Sequence, residues 1–200
     1  MQEIKQGLQR LRKLLKKSHF TANDARDLGV SSALLAYYIQ QGRLIRIARG
    51  VYRSSDYKGS STLQWDDLID NLVSIPGGVV CLTSALAIYE ITEEIPRQHW
   101  IAVSHNTSIH RDDSIHIVRF RNMNLGRSKI VLASGIEIPI FDRERTIIDS
   151  FRLLSRETAI KALKFALSKK KSERIDLKKL NYYSKKLRFN IEPYFVAVTT

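Results

Sequence analysis

Arg43, Arg46, Arg49 and Arg53 crowd the segment RLIRIARGVYR, whose other side chains are mostly apolar and strand-forming. A guanidinium clamps phosphate in two-point geometry or enters a narrow minor groove, so this pattern points to polyanion chemistry. Strand alternation cannot put all four on one face. Arg46 and Arg49, nearest the tight Arg49-Gly50 turn, are the first choice, against the plainer reading of a solubilising edge strand. Just upstream, Ser32, Ala33, Ala36, Tyr37 and Gln40 stand at i, i+1, i+4, i+5 and i+8, a single stripe of a helix. Gln40 suits adenine, Ser32 a base or a phosphate, and the two alanines allow close approach or contact with a thymine methyl. Tyr37 suits either base or phosphate. The alternative is an ordinary surface face on a small interaction domain.

Other candidates for chemistry fall away. His105, His110 and His116, with Asp112 and Asp113 among them, lie in a polar turn between two strands and lack the i, i+4 spacing of a helical metal pair. Glu90, Glu93, Glu94, Asp142, Glu144 and Asp149 form no recognisable acid/base or nuclease pattern. Gly77-Gly78 alone is no phosphate loop, and no serine sits in a GxSxG. Cys81, the single cysteine, stands among Val79, Val80 and Leu82 and reads as a small buried hydrophobe. The expectation is therefore no catalytic residue, no metal and no cofactor.

The elements that must carry the two arrays can be read locally. Ile4, Leu8, Leu11 and Leu15 recur at helical spacing, predicting a basic amphipathic helix over 3–17. Thr21 and Asp24 form a capping pair for a short helix over 22–28, Gly29 ends it, and Ser31 caps the next helix, which stops at Gly42. Leu35, Tyr38 and Ile39, with Val30 beneath, should face the core. Leu44–Ala48 and Val51–Ser54 then read as a hairpin. Helix, short helix, tight turn, helix and hairpin is the order of a winged helix-turn-helix, which projects its second helix toward a major groove.

The polar stretch SSDYKGSST over 54–62 suggests a boundary near residue 60, giving a DNA-binding domain over 1–58 and a second domain over 59–200. That second part reads as a helix over 63–75, a strand over 79–82, a helix over 84–90, strands over 99–104 and 114–120, and a hairpin of 130–133 with 136–140 about Ser134-Gly135. Asp142 caps a helix reaching about Leu154, 156–168 form another, and Asp176 caps the last. The fold class is thus α+β, an N-terminal winged helix-turn-helix followed by a mixed α/β domain ending in basic helices.

Charge agrees with that division. The 200 residues carry 33 Lys+Arg against 20 Asp+Glu, a net charge of +13. Residues 1–60 hold twelve basic and four acidic groups, 61–151 eight and twelve, and 152–200 thirteen and four. A basic head, an acidic middle and a basic tail imply at least two functional surfaces, with nucleic acid the leading partner. No apolar run is long enough for a bilayer and the first twenty residues lack a signal-peptide core, so a cytoplasmic protein without a membrane partner is expected.

The segment HFTANDARDLGVSSALLAYYIQQGRLIRIARGVYR resembles the AbiEi antitoxins of AbiE type IV toxin-antitoxin systems. Further blocks extend the likeness over about 18–155: VVCLTSALAIYEI, HWIAVS, and IEIPIFDRERTIID with Arg145, Thr146 and Asp149. The resemblance implies a winged helix that represses its own operon on double-stranded operator DNA, and a C-terminal domain that counteracts a nucleotidyltransferase-like toxin. By position it assigns recognition to Ser32, Ala33, Ala36, Tyr37 and Gln40, and the wing to Arg46 and Arg49. The chain departs from many relatives in having an uncharged recognition helix. A regulator whose C-terminal domain senses a ligand or a protein is the alternative, and a nuclease ranks third.

Overall fold

The computed structural model describes residues 2–57, 65–109, 113–132, 136–170 and 173–199. The Ser134-Gly135 turn, His110, Asp112, Lys171 and the stretch 58–62 lie outside the described residues. The chain divides into two compact units, Met1–Pro76 and Gly77–Thr200.

In the first unit α1 (Gln2–Leu11) stops six residues before the expected end, and Leu14–Lys16 tighten into a 3-10 turn. The tighter winding brings Leu14 into the core beside fully buried Leu11. The chain then forms β1 (Phe20–Thr21), α2 (Ala22–Asp27), α3 (Ser32–Gln40), β2 (Leu44–Ala48) and β3 (Val51–Ser54). Sequence periodicity did not reveal β1. Its two residues pair with Tyr52 and Val51, making an antiparallel sheet of order β1-β3-β2. Phe20, Val30, Leu35, Tyr38, Leu44 and Tyr52 close the core.

The unit also includes α4 (Asp66–Ser74), which packs on β2 and extends the unit beyond the boundary suggested by the polar stretch. Arg53 of β3 fixes it, its Nη1 lying 2.9 Å from Asp70 Oδ2.

The second unit contains β4 (Val79–Val80), α5 (Leu82–Ile88), β5 (His99–Ser104), β6 (Ile115–Phe120), β7 (Arg127–Val131) and β8 (Glu137–Phe141), then α6 (Arg143–Leu153), α7 (Arg156–Ser168), α8 (Leu177–Lys186) and α9 (Glu192–Thr199). The sheet order is β6-β5-β4-β8-β7, parallel at β5/β6 and β4/β8 and antiparallel elsewhere. Asp176 does cap α8, its carboxylate accepting from the amides of Lys178 and Lys179, but α8 is not the last helix. Phe151, Phe189 and Tyr194 draw α9 in, with the Phe151 and Tyr194 rings 4.6 Å apart. Cys81 is buried, as its neighbours imply.

The centre of this unit is α6, buried without interruption from Glu144 to Phe151. A helix covered on all sides must satisfy its polar groups internally. Arg145 Nε donates to Asp149 at 2.5 Å, and Nη1 donates to the carbonyls of Leu125 and Asn122. Arg152 donates to the other Asp149 oxygen, Thr146 Oγ to the Phe141 carbonyl and Ser150 Oγ to the Thr146 carbonyl. Glu144 accepts the Asp176 amide.

Gly7 marks where α1 crosses α3: a Cβ there would overlap the Tyr38 hydroxyl and sit 2.6 Å from Leu34 Cδ2. Gly7→Ala should therefore lower stability by about 1–3 kcal/mol, despite the roughly 1 kcal/mol that alanine adds to helix propensity. Urea unfolding measures this, and an unchanged or raised midpoint would show that α1 does not press on α3.

Candidate nucleic-acid interface

The position of α3 is set by two short chain reversals. Thr21 Oγ1 accepts the Asp24 amide at 3.1 Å while the Thr21 amide donates to Asp24 Oδ2 at 2.7 Å, the reciprocal capping that its sequence predicts. These bonds hold the Asp24 carboxyl below its ordinary pKa. At the other end of α2, Gly29 takes φ +73°. Its amide donates to the Arg26 carbonyl and that of Val30 to the Ala25 carbonyl, so the helix closes in a Schellman motif whose apolar member, Val30, is buried in the core. Ser31 then caps α3 through the Leu34 amide. The pattern repeats after α3: Gly42 and Arg43 donate to the carbonyls of Ile39 and Tyr38. Both ends of α3 are thereby fixed by local chemistry.

Leu35 and Tyr38 bury one side of α3, and burial pushes the Tyr38 phenol up. Ile39 is only partly buried. Ser32, Ala33, Ala36, Tyr37 and Gln40 are all exposed on the helix, and Tyr37 meets Tyr38 edge-on at 5.9 Å. The five residues of the stripe thus come together on a fixed, accessible helix.

The hairpin separates the four arginines. Ile45 pairs with Arg53 and Arg46 with Tyr52, so Arg53 and Arg46 belong to opposite faces of the ribbon. Arg53 is half-buried against Asp70, whose carboxyl burial pushes up and Arg53 draws back. Arg43, Arg46 and Arg49 are exposed. Gly50 takes φ +76° at the turn, and its carbonyl accepts the Ala22 amide at 2.8 Å, tying the hairpin to the start of α2. Asp70 was the residue sequence reasoning missed: it lies 17 positions from Arg53 in a helix on the far side of a polar stretch, and no local pattern announces the pair.

Two of the candidate histidines, His105 and His116, lie among the described residues. His116 stacks on Trp100 at 3.8 Å and the His105 carbonyl accepts from Arg119. Among the described residues no three His, Cys, Asp or Glu side chains gather as a metal site. Among them, too, no helix is long and apolar enough to cross a membrane.

Residues 9–55 match the family model described as transcriptional regulator, AbiEi antitoxin. The fold is similar to that of the RV2827C protein from Mycobacterium tuberculosis, known from a crystal structure, with a TM-score of 0.61 and 11% identity over 90% of this chain and 71% of that one. At that identity the likeness concerns the fold. Among curated proteins none matches the sequence.

The division of labour between the arginines is testable. Arg53→Ala should lower stability by about 1–2 kcal/mol through loss of a partly buried charged hydrogen bond, while Arg49→Ala should leave the melting temperature unchanged. Equal melting temperatures for the two variants would mean that α4 is held by packing alone.

Proposed function

From an N-terminal unit that belongs to the AbiEi family of antitoxin transcriptional regulators, we propose that this chain is a DNA-binding autorepressor and the antitoxin of a type IV toxin-antitoxin system. The unit works as a winged helix. Its α3 lies in the major groove of double-stranded operator DNA, where Ser32, Ala33, Ala36, Tyr37 and Gln40 meet base edges. The β2-β3 hairpin is the wing, and Arg43, Arg46 and Arg49 take flanking phosphates or the adjacent minor groove. Arg53 acts inside the unit.

The observation that carries this reading is the exposed, uncharged stripe of α3, small at Ser32, Ala33 and Ala36, beside exposed arginines of one hairpin. Small residues let the helix backbone approach the groove floor, and the cations supply the sequence-independent attraction that the helix lacks. The second unit supplies antitoxicity against a nucleotidyltransferase-like toxin, and the protein is not itself an enzyme.

Fluorescence anisotropy on a duplex from the chain's own upstream region and on a scrambled duplex, at several salt concentrations, tests the repressor half. The expected outcome is a specificity ratio of about a thousand or more. Equal, steeply salt-dependent binding to both duplexes would reduce the charge to a general polyanion surface. Gln40→Ala should cost about 1–3 kcal/mol of discrimination between the duplexes. Arg49→Ala should weaken both alike and flatten the salt dependence by about one phosphate contact, a slope change near 0.9. Co-expression with a toxin encoded beside it tests the other half: growth should recover with the full chain and fail with residues 1–76 alone.

A further inference from the structure

The second unit contains a cavity of about 400 Å³ whose walls come from β6 and the residues just after it, from both ends of α6, and from the end of α8 and the turn that follows. Six of its lining residues are cationic: Arg119, Arg121, Arg145, Arg152, Lys186 and Arg188. No carboxylate is among its described lining residues. Asp149, behind the wall and almost fully buried, is shared between Arg145 and Arg152 and so offsets only one of the six charges.

These cations differ in how they are held. Arg145 is 1% exposed, and its bonds to Asp149 and to the Asn122 and Leu125 carbonyls make it a fixed floor. Arg119 is braced by the carbonyls of His105 and Thr107. Arg121 and Arg188 are exposed at the rim. Side chains oriented in advance bind an anion without first being ordered, which is how selective sites reduce the entropic cost of binding. Phe120 and Leu187 add apolar wall beside the charges.

The backbone at Arg188 fixes where its side chain leaves the chain. This residue has φ +54° and closes α8 as Gly29 closes α2, its amide donating to the Lys185 carbonyl and that of Phe189 to the Ser184 carbonyl. Glycine holds that position at least cost, and a side chain there is strained. The chain nevertheless places an arginine at it, on the rim of a cationic cavity.

We propose that this cavity binds the phosphate groups of a nucleoside polyphosphate, with the apolar wall against the nucleoside. Its volume lies within the roughly 300–1,000 Å³ of small-molecule sites. A bounded cavity with a buried floor favours a small ligand over a nucleic-acid strand, which requires a long open groove. The site would give the second unit a ligand to sense, distinct from the DNA contacts assigned to the first.

Isothermal titration of the full chain with ATP, and with pyrophosphate as competitor, tests the proposal. Binding of one equivalent, displaced by pyrophosphate, is expected. Arg121→Glu and Arg188→Gly should each weaken it about tenfold or more, the loss of one charge-assisted contact. Lys164→Glu, an equal charge reversal on the exposed side of α7, should leave it unchanged. Arg188→Gly should also melt at the same or a higher temperature, so its loss of binding could not be blamed on misfolding. Absence of saturable ATP binding would overturn the proposal, as would equal weakening by Lys164→Glu. So would Arg121-dependent binding of a single-stranded oligonucleotide with no binding of ATP or pyrophosphate, which would make the cleft part of a nucleic-acid surface.

Discussion

A helix buried on every side cannot leave a charge without a partner, and α6 carries three buried charged residues and two buried hydroxyls between Glu144 and Ser150. Isolated, any of the charges would cost several kcal/mol in the interior. The chain meets this by pairing Asp149 with Arg145 and Arg152 within the helix and turning other buried polar groups into ties to different segments. Arg145 reaches the 122–125 loop, Glu144 the start of α8 and Thr146 the end of β8. Asp142, just before the helix, accepts from the Arg145 amide, the Tyr183 hydroxyl and Lys179. Burial pushes the Tyr183 phenol up to about 12. Apolar packing would hold the same layers together with less discrimination of register, whereas directional bonds are lost when a segment shifts.

The packing around Arg145 shows the same dependence from the other side. Gly126 takes φ +72°, and a Cβ there would come within 2.6 Å of Arg145 Cβ. The aromatic rings of Phe120 and Phe141 lie within 5.1 and 4.8 Å of the guanidinium carbon, so its face is covered by π surface while its edge is hydrogen-bonded. That arrangement leaves the guanidinium with fixed orientation, and the cationic cleft inherits its rigidity from the helix core.

Local signals in the sequence were legible at the helix caps and stops, whereas the helical periodicity over 3–17 overran α1. The Thr21, Ser31, Asp142 and Asp176 caps and the Gly29 and Gly42 stops each depend on side chains or dihedrals within a turn of one another. The β2 and β3 spans follow from composition as closely. What was not legible depends on distant partners. The strand β1 has only two residues and exists through pairing with β3 some thirty positions away. Helix α4 joins the first unit through Asp70, and α9 lacks a one-sided apolar stripe to announce it. In the candidate interface the α3 stripe was legible from 3.6-residue spacing, but the removal of Arg53 from the exposed set was not. Arg145, Thr146 and Asp149 were visible as a block by resemblance, yet their linkage through buried hydrogen bonds required the fold.

The two units therefore use cations in opposite ways. On the hairpin, Arg43 and Arg49 are exposed, so their contribution to any polyanion is long-range, screened by salt and tolerant of register. On the proposed function, discrimination is assigned to α3, where short polar and small side chains offer shape and hydrogen bonds without net charge. Such a separation would make wrong sequences costly to engage closely without making them slow to find, because attraction and reading would reside on different elements. In the second unit Arg119, Arg145 and Arg152 are braced by carbonyls and by Asp149, and bracing exchanges reach for geometry. A fixed array suits a compact group of defined shape, whereas exposed arginines suit a backbone that repeats. The same residue type is thus suited to two kinds of recognition because the surrounding hydrogen bonds, and not the charge itself, decide how precisely it is aimed.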